Sequence, residues 1–201
     1  MKPILLDFPV PIISPRLILR PPQVGDGVIV NEAVIESFDV LNKSMPWAKE
    51  KPSLEDSEEF VRQSAANWIL KKNDEPYLPL FIFDKNTNKF IGGTGFHHYD
   101  WDVPSIEIGY WLRASCSGQG FMTEAVNAQT QFAFKELKMK RVTITCDVNN
   151  IKSKKIPERL GYQLEATIKS NRLDSQGKIS DTLVFTKFDL DGLLNLPVTW
   201  K

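Results

Sequence analysis

A turn with two glycines stands immediately before a predicted helix and could bind phosphate. The turn is Ser117-Gly118-Gln119-Gly120, and it follows a predicted strand over 106–112. The first N–H groups of any helix lack an intrahelical acceptor, and the helix dipole places partial positive charge beside them. Two glycines would also fit an ordinary loop, but the strand before them and the helix after them favour a phosphate site.

Two common nucleotide-binding turns do not fit these residues. A Walker-type loop needs Lys and then Ser or Thr after its last glycine, where Phe121 and Met122 stand. A Rossmann turn needs a third glycine at the position of Thr123, and an acidic residue about 20 positions further on. Lys140 and Arg141 lie there instead. The sequence therefore argues against both nucleotide sites.

The phosphate turn must be positioned by strands and helices that the residue pattern predicts. Runs and alternations of apolar residues predict strands at 16–20, 78–84, 90–99, 106–112, 142–146, 163–173 and 179–188. These strands are bounded by polar turns, of which Lys85-Asn86-Thr87-Asn88 is an example.

Helical spacing of apolar residues predicts four helices. Asp26 is expected to cap the first and Ser53 the second, with Asp56 completing a capping box. The second helix should end at the break Lys71-Lys72-Asn73-Asp74. A long helix over 120–137, with one buried stripe, and a short helix ending at Gly161 follow.

The predicted elements follow the order strand, two helices, three strands, helix, strand, helix and two strands. They do not alternate strictly, as they would in a wholly parallel sheet. The order predicts the α/β (α+β) class, with a mixed sheet flanked by helices. A chain of 201 residues fits two separate cores poorly, so a single domain is expected.

Composition argues against several classes of function. Lys plus Arg and Asp plus Glu both number 25, so the chain lacks the basic surface typical of a nucleic-acid binder. Its apolar runs fall short of the roughly 20 residues that a membrane span needs. The N-terminal prolines with Lys2 and Asp7 are unlike a secretory signal. Cys116 and Cys146 form no disulfide framework, and a cytoplasmic location is expected.

Five segments, in this order, resemble the GNAT superfamily of acetyl-CoA-dependent N-acetyltransferases, and within it the ribosomal-protein N-terminal acetyltransferase group. The segments are Arg16-Leu17-Ile18-Leu19-Arg20, Phe90-Ile91-Gly92-Gly93-Thr94-Gly95, Ile106-Glu107-Ile108-Gly109-Tyr110-Trp111-Leu112, Gly118-Gln119-Gly120-Phe121-Met122-Thr123-Glu124-Ala125, and Asn149-Asn150-Ile151-Lys152-Ser153 with Glu158-Arg159-Leu160-Gly161-Tyr162. The resemblance implies a GNAT-like domain over 14–190, with terminal extensions 1–13 and 191–201.

The resemblance implies a single-domain, mostly antiparallel twisted sheet that binds acetyl-CoA as cosubstrate. By position, the resemblance implies which residues bind the cofactor. The pantetheine arm is expected at Ile108, Tyr110 and Leu112, and the pyrophosphate at Ser115, Cys116, Ser117, Gly118, Gln119, Gly120, Phe121 and Met122. In the last segment, the expected contacts are Asn150 and Ser153. The expected reaction is transfer of an acetyl group to a primary amine, including a protein N-terminal α-amine, by direct attack on the thioester.

The chain departs from the family pattern at two positions. Ser115 stands where members often carry Gln or Arg, although backbone donors matter more for phosphate binding. Pro157 stands where many members carry a tyrosine general acid, and proline cannot donate a proton. Because proline fits a helix only in its first turn, the last helix is expected to start near Lys154, with Ser153 close to its N-terminus.

Glu107 and Ser153 are the candidate catalytic residues. A carboxylate acting through water can accept the proton that an amine must lose, and Glu107 lies on the strand that should line the acetyl site. A solvated strand glutamate is the competing interpretation. The resemblance to the ribosomal-protein group implies that a serine at the position of Ser153 acts as the general acid and protonates the thiolate. The competing role of Ser153 is that of a helix N-cap.

Other reactive side chains fit the reaction less well. Cys116 could carry an acetyl group, but it lies beside the phosphate turn, where packing is the expected role. His97 and His98 are adjacent strand residues that should point to opposite faces, so no metal is assigned. Three lysines beside Asn150 could attract the adenosine 3′-phosphate or, as the favoured interpretation, form a solvated basic helix end: Lys152, Lys154 and Lys155.

Three functions stay open on the sequence alone. The first is acetylation of a protein N-terminus, and the second is acetylation of a small amine such as an antibiotic, amino acid or polyamine. The third is a CoA-binding regulatory domain without catalysis, which Pro157 keeps open. No nucleic acid or membrane partner is expected, and the protein should be a monomer or a homodimer.

Overall fold

The computed structural model describes residues 3–71, 76–174 and 176–201. Within these residues the strands are β1 (Ile12–Ile13), β2 (Leu17–Arg20), β3 (Tyr77–Asp84), β4 (Phe90–Asp100), β5 (Ser105–Leu112), β6 (Arg141–Asp147), β7 (Gln163–Leu173), β8 (Ile179–Lys187) and β9 (Thr199–Trp200). The helices are α1 (Gly27–Leu41), α2 (Leu54–Leu70), α3 (Phe121–Lys135) and α4 (Ile151–Arg159). No described helix combines the length and apolar character that a membrane span needs.

The strands form one open sheet in the order β7-β8-β6-β5-β4-β3-β2-β1-β9. β5 and β6 are parallel, and the other described pairs are antiparallel. Helices α1 and α2 cover one face through an apolar cluster that includes Val34, Val61 and Phe83. The other face packs on α3 and α4. The predicted mixed, mostly antiparallel sheet is therefore confirmed.

The predicted caps of α1 and α2 have different outcomes. At α2, Ser53 accepts from the Asp56 N–H and Asp56 accepts from the Ser53 N–H, so the capping box is confirmed. Asp26 precedes α1 but makes no side-chain cap bond. Its carboxylate instead binds the Arg20 guanidinium at 2.7 and 2.8 Å. The break expected at Lys71-Lys72-Asn73-Asp74 lies, apart from Lys71, outside the described residues.

Helix α3 is buried on every side, whereas the sequence predicted a single buried stripe. All residues from 121 to 133 are buried. The segment after β8 covers the outer face of α3, where Asn127 donates to the Leu194 carbonyl at 2.9 Å and Gln131 to the Leu196 carbonyl at 3.1 Å. Polar residues on the outer face are therefore satisfied by protein instead of water, which a helical pattern cannot reveal.

Helix α4 starts at Ile151, not near Lys154 as predicted. Its N-cap is Asn150, whose side chain accepts from the Ser153 N–H at 3.1 Å. Ser153 thus lies inside the first turn, and its predicted N-cap role is wrong. Pro157 lies in the interior of the helix and is buried. The argument that proline must fall in the first turn fails because another group satisfies the carbonyl it leaves free, as described below.

The sheet extends beyond the predicted domain limits on both sides. β1, before residue 14, pairs with β2 and with β9, which lies after residue 190. Ile12 is fully buried, and Trp200 packs edge-on against Phe132 with ring centroids 5.4 Å apart. The limits 14–190 stay a prediction, but segments on either side of them contribute to the same core.

Candidate active site

Strands β5 and β6 separate after a short parallel ladder, which leaves one edge of β5 open. Within the described residues they pair only at Ser105 with Arg141, Ile106 with Val142, and Glu107 with Thr143. β6 continues beside β8, while β5 continues beside β4. A wedge-shaped opening therefore begins at Glu107.

The backbone of β5 presents unpaired groups to this opening. On the β4 side, the Arg113 N–H donates to the Ile91 carbonyl at 2.8 Å. Hydrogen-bonding groups alternate between the two edges of a strand, so those of Ile108, Tyr110 and Leu112 point away from β4. Ile108 lies at the end of the ladder with β6, and Tyr110 and Leu112 lie beyond it, on the open edge. These are the residues predicted to hold the pantetheine arm, whose amides could pair with a strand edge.

The glycine turn leaves a row of N–H groups without protein acceptors. Gly118 and Gly120 have φ of +80° and +78°, a conformation that favours glycine, and Gly120 is the N-cap of α3. Among the described residues, no protein acceptor binds the N–H groups of residues 118–123. This arrangement fits the pyrophosphate of acetyl-CoA and includes the predicted Gln119, Phe121 and Met122.

The three residues before the glycines use their N–H groups within the protein. The amides of Cys116 and Ser117 donate to the carbonyls of Arg113 and Ala114, at 2.9 and 3.1 Å. The Ser115 N–H donates to the Glu36 carboxylate at 3.0 Å. Only the exposed Ser115 and Ser117 hydroxyls could therefore reach a cofactor, since the Cys116 side chain is buried.

Glu36 supports the segment that leads into the turn. Burial raises its pKa, but the hydrogen bonds from Ser115 and the nearby Arg113 guanidinium outweigh this and lower the pKa to about 2. The Arg113 Nε–Glu36 distance is 2.6 Å. Glu36 is therefore ionised at neutral pH and fixes the start of the turn to α1.

Glu107 and Ser153 line the same cavity, of about 650 Å³, at the opening between β5 and β6. Glu107 is half-buried, and its Oε1 accepts a hydrogen bond from Thr145 Oγ1 at 2.8 Å. This bond orients the carboxylate and leaves acceptor capacity free for a water. Strand alternation alone did not establish that Glu107 faces a cavity; the packing of α1 and α2 above the sheet creates one.

Ser153 is joined to Tyr110 across the opening. The Tyr110 hydroxyl lies 3.2 Å from Ser153 Oγ and 3.2 Å from the Ser153 carbonyl oxygen. In a regular helix this carbonyl would accept from the N–H of residue 157, but Pro157 has none. Tyr110 therefore supplies the donor that Pro157 lacks. Burial raises the pKa of the Tyr110 hydroxyl, so it is protonated at neutral pH.

Asn150 and Cys146 occupy the same cavity wall. The Asn150 side-chain oxygen is occupied by the helix cap, so its amide nitrogen is the group available to a cofactor. Both cysteines are free and buried, and burial raises the pKa of the Cys146 thiol. A raised pKa disfavours the thiolate form that nucleophilic catalysis needs.

His97 and His98 line this cavity together, although alternation placed them on opposite faces. The β4–β5 register shifts after His97, and His98 has φ of +48°, so the strand is irregular there. His97 stacks on Tyr77 with ring centroids 4.3 Å apart. Among the described residues, no group of three or more His, Cys, Asp and Glu side chains could hold a metal ion.

Sequence reasoning missed the groups that hold the turn from behind. Arg16 and Glu124 form an ion pair with a 2.6 Å Nε–Oε2 distance, beside the glycines. Glu124 was visible as an acidic residue in the first turn of a predicted helix. Its partner lies 108 residues away, and no spacing rule connects the two.

The fold and the site define an acetyl-CoA-dependent acetyltransferase, and the chain belongs to the acetyltransferase (GNAT) domain family, which matches residues 16–163. YdaF of Bacillus subtilis strain 168, provisionally named a ribosomal N-acetyltransferase, is 38% identical over 151 residues, covering 75% of this chain and 79% of that protein. The ribosomal-protein-serine acetyltransferase of Escherichia coli K12 is 27% identical over 135 residues, covering 66% and 74%.

Solved structures show the same fold. The microcin C7 self-immunity acetyltransferase MccE, in complex with acetyl-CoA and AMP, has a TM-score of 0.77 at 27% identity, covering 88% of this chain and 94% of that one. The ribosomal L7/L12 α-N-protein acetyltransferase RimL, in complex with coenzyme A, has a TM-score of 0.78 at 23% identity, covering 90% and 97%. The protein is therefore an N-acetyltransferase that uses acetyl-CoA.

Proposed function

We propose that this N-acetyltransferase acetylates the α-amine of a protein or peptide N-terminus, with Glu107 as general base and Ser153 as general acid. The observation that carries the proposal is that both side chains line one cavity at the open edge of β5. The edge and the glycine turn bind the cosubstrate, and the rest of the cavity is free for an acceptor.

Glu107 removes a proton from the acceptor amine through a water. An α-amine has an ordinary pKa of about 8 and is largely protonated at neutral pH, so attack requires deprotonation. The Thr145 hydroxyl holds one carboxylate oxygen of Glu107 in place. The carboxylate also favours approach of the cationic form of the amine before the proton is lost.

Ser153 donates a proton to the departing sulfur of the cosubstrate. Tyr110 is protonated and donates to the Ser153 carbonyl, and its oxygen lies 3.2 Å from Ser153 Oγ, where it can accept from the serine hydroxyl and hold it at the opening until the sulfur takes the proton. The Ser153 hydroxyl is not used as a helix cap, because Asn150 serves that role. This arrangement supports a general acid in a chain where Pro157 occupies the usual tyrosine position.

The shape and charge of the cavity support a cationic, extended acceptor. Glu50 and Asp56 line it together with Glu107, on the side formed by α1, α2 and the segment between them. A neighbouring cavity of about 510 Å³ shares the walls formed by Tyr77 and His97. Room beyond the reacting amine suits the first residues of a peptide. One relative is named a ribosomal-protein-serine acetyltransferase, and YdaF is provisionally named a ribosomal N-acetyltransferase.

One observation favours a small amine as the second candidate acceptor. MccE binds AMP together with acetyl-CoA, and its sequence is 27% identical to this chain. Trp47 and Trp111 line the cavity with ring centroids 6.0 Å apart and offer aromatic surface to a planar ligand. A cytoplasmic location belongs to either candidate, and both free cysteines are compatible with it.

A screen for thiol release from acetyl-CoA identifies the acceptor. The panel contains peptides with free and with blocked N-termini, polyamines, aminoglycosides and aminoacyl nucleotides. We expect turnover with free N-terminal peptides and none with the matched blocked peptides. Turnover restricted to small amines would contradict the proposed acceptor, and CoA binding without any turnover would indicate a regulatory domain.

Substitutions test the two catalytic roles. Glu107→Gln and Ser153→Ala are each expected to lower kcat by roughly 10²-fold, the smaller end of general acid–base contributions. Glu55→Gln and Ser105→Ala, which lie outside the cavity lining, serve as matched controls and should retain the wild-type rate. If the two cavity variants kept wild-type rates across the pH range, both assignments would be wrong.

A further inference from the structure

An ion pair between a buried glutamate and a partly exposed arginine lies behind the glycine turn and has no part in the reaction described above. The side chain of Glu124 is 6% exposed and lies in the first turn of α3, next to the unpaired N–H groups. Its Oε1 accepts from Ser14 Oγ at 2.7 Å and from the Arg16 N–H at 2.8 Å. Its Oε2 accepts from Arg16 Nε at 2.6 Å. Glu124 thereby binds one side of the Arg16 guanidinium.

The other side of the guanidinium contacts the turn itself. Arg16 Nη1 donates to the Gln119 carbonyl at 3.0 Å, and the guanidinium carbon lies 4.7 Å from the centroid of the Phe121 ring. A Cβ added at Gly120 would lie 3.5 Å from Arg16 Nη2, so this nitrogen stands beside the N-cap of α3. The Arg16 side chain is 45% exposed, so part of it remains open to a ligand.

Charge makes this arrangement more than a packing detail. A carboxylate at the start of α3 stabilises the helix through its dipole, but it would also repel a diphosphate bound at the same place. Arg16 neutralises Glu124 and adds a planar set of donors whose geometry suits phosphate oxygens. The bond to the Gln119 carbonyl orients the peptide group between residues 119 and 120, and therefore the N–H of Gly120.

We propose that Arg16 is a positioning and binding residue for the cosubstrate diphosphate, held in place by Ser14 and Glu124. Arg16 holds the glycine turn in its donor conformation and adds a positive charge beside it. The inference rests on the proposed placement of the diphosphate at residues 118–120. It does not depend on the acceptor amine, so it is tested by binding alone.

The experiment measures affinity for CoA and for pantetheine, which lacks the phosphates, by titration calorimetry and ligand-detected NMR. We expect Arg16→Gln to weaken CoA binding about tenfold or more, as for the loss of a hydrogen bond to a charged group. Pantetheine affinity should stay within about twofold of wild type, because it makes no phosphate contact. Arg16→Lys, which keeps the charge but not the planar donors, should fall between Arg16→Gln and wild type.

Arg20→Gln is the matched control. Arg20 lies at the end of β2, which begins directly after Arg16; it pairs with Asp26 at 2.7 Å and stacks over Phe83, but it does not contact the turn. It should leave both affinities unchanged. Equal losses for CoA and pantetheine in Arg16→Gln, or the same loss in Arg20→Gln, would reduce Arg16 to a general structural role and overturn the inference.

Glu124→Gln separates positioning from simple charge. Removing a negative charge near the diphosphate should tighten CoA binding if charge alone matters. If Glu124 positions Arg16, the substitution should weaken CoA binding instead, and tighter binding would overturn that role. If Arg16→Gln fails to fold, as judged by circular dichroism, Arg16→Lys and Glu124→Gln decide the outcome.

Gly118→Ala tests the placement on which the inference rests. A side chain at this position has free space but an unfavourable φ of +80°, so the turn should be distorted and CoA binding weakened. Unchanged CoA affinity in Gly118→Ala would remove the proposed phosphate site itself. Weakened binding in Gly118→Ala together with unchanged binding in Arg16→Gln would overturn the Arg16 inference alone.

Discussion

Single residues in the cavity differ in how far burial changes their charge. Tyr110 stays protonated and can act as a donor to Ser153, and the pKa of His97 is lowered to about 4, first by burial and then by the neighbouring His98. His97 is therefore neutral at physiological pH, and burial disfavours the imidazolium that it would become on accepting a proton. Glu107, whose carboxylate is oriented by Thr145 on the cavity wall, remains the proposed base.

Loss of His97 should reduce the acid sensitivity of folding. The pKa of His97 is about 4 in the folded protein against an ordinary 6.5, so the unfolded chain binds more protons between these values. The free energy of unfolding therefore rises with pH across this window. On acidification from neutral pH to pH 4.5, the contribution of His97 lowers it by about 2 kcal/mol. His97→Gln should remove this part of the pH dependence in urea titrations between pH 7.5 and 4.5.

His98→Gln is the comparison for this measurement, because His98 is the neighbouring imidazole but is exposed. Its pH profile should follow the wild type more closely than that of His97→Gln. Identical slopes in wild type and His97→Gln would contradict the assignment of a buried neutral imidazole.

At the scale of elements, α4 depends on a partner outside the helix. Pro157 removes the donor for the Ser153 carbonyl, and Tyr110 on β5 replaces it. The helix and the open edge of β5 are thus joined at the point where the candidate acid lies. A proline that looked incompatible with a helix interior is accommodated by a tertiary hydrogen bond.

A double-mutant cycle tests this link between α4 and β5. Tyr110→Phe should destabilise the protein by about 1–3 kcal/mol, because the Ser153 carbonyl is left without its donor. In a Pro157→Ala background the restored N–H can bind that carbonyl, so the cost of Tyr110→Phe should be smaller by about 1 kcal/mol. Urea unfolding of the four proteins measures the coupling. Additive effects would show that Pro157 and Tyr110 do not share the carbonyl.

For the whole molecule, the residues after β8 complete the core. Leu194 and Leu196 carbonyls satisfy polar side chains of α3, and β9 extends the sheet beside β1. The helix whose N-terminus presents the phosphate turn is therefore enclosed by the sheet on one side and by this segment on the other. Its rigidity depends on parts of the chain more than 60 residues away.

Trp200→Ala should destabilise the protein by about 2–3 kcal/mol, somewhat below the usual cost for a fully buried tryptophan. Trp200 packs on Phe132, and its Nε1 donates to Glu136 at 2.9 Å. Leu194→Ala, at a side chain 46% exposed, should cost less than about 1 kcal/mol while keeping the backbone bond to Asn127. Equal effects of the two substitutions in chemical unfolding would contradict a core role for the segment.

The sequence by itself determined most strands, the mixed sheet, the glycine turn before α3 and the family, because these depend on local periodicity, glycine conformations and contiguous motifs. The start of α4, the environment of the two histidines and the burial of α3 on every side were decided only by the tertiary structure. Each depends on a distant group that satisfies a backbone or side-chain atom: Tyr110 for the Ser153 carbonyl, and residues 194 and 196 for α3. The same reason applies to Arg16, which lies just before β2 and contacts the glycine turn more than 100 residues later in the chain.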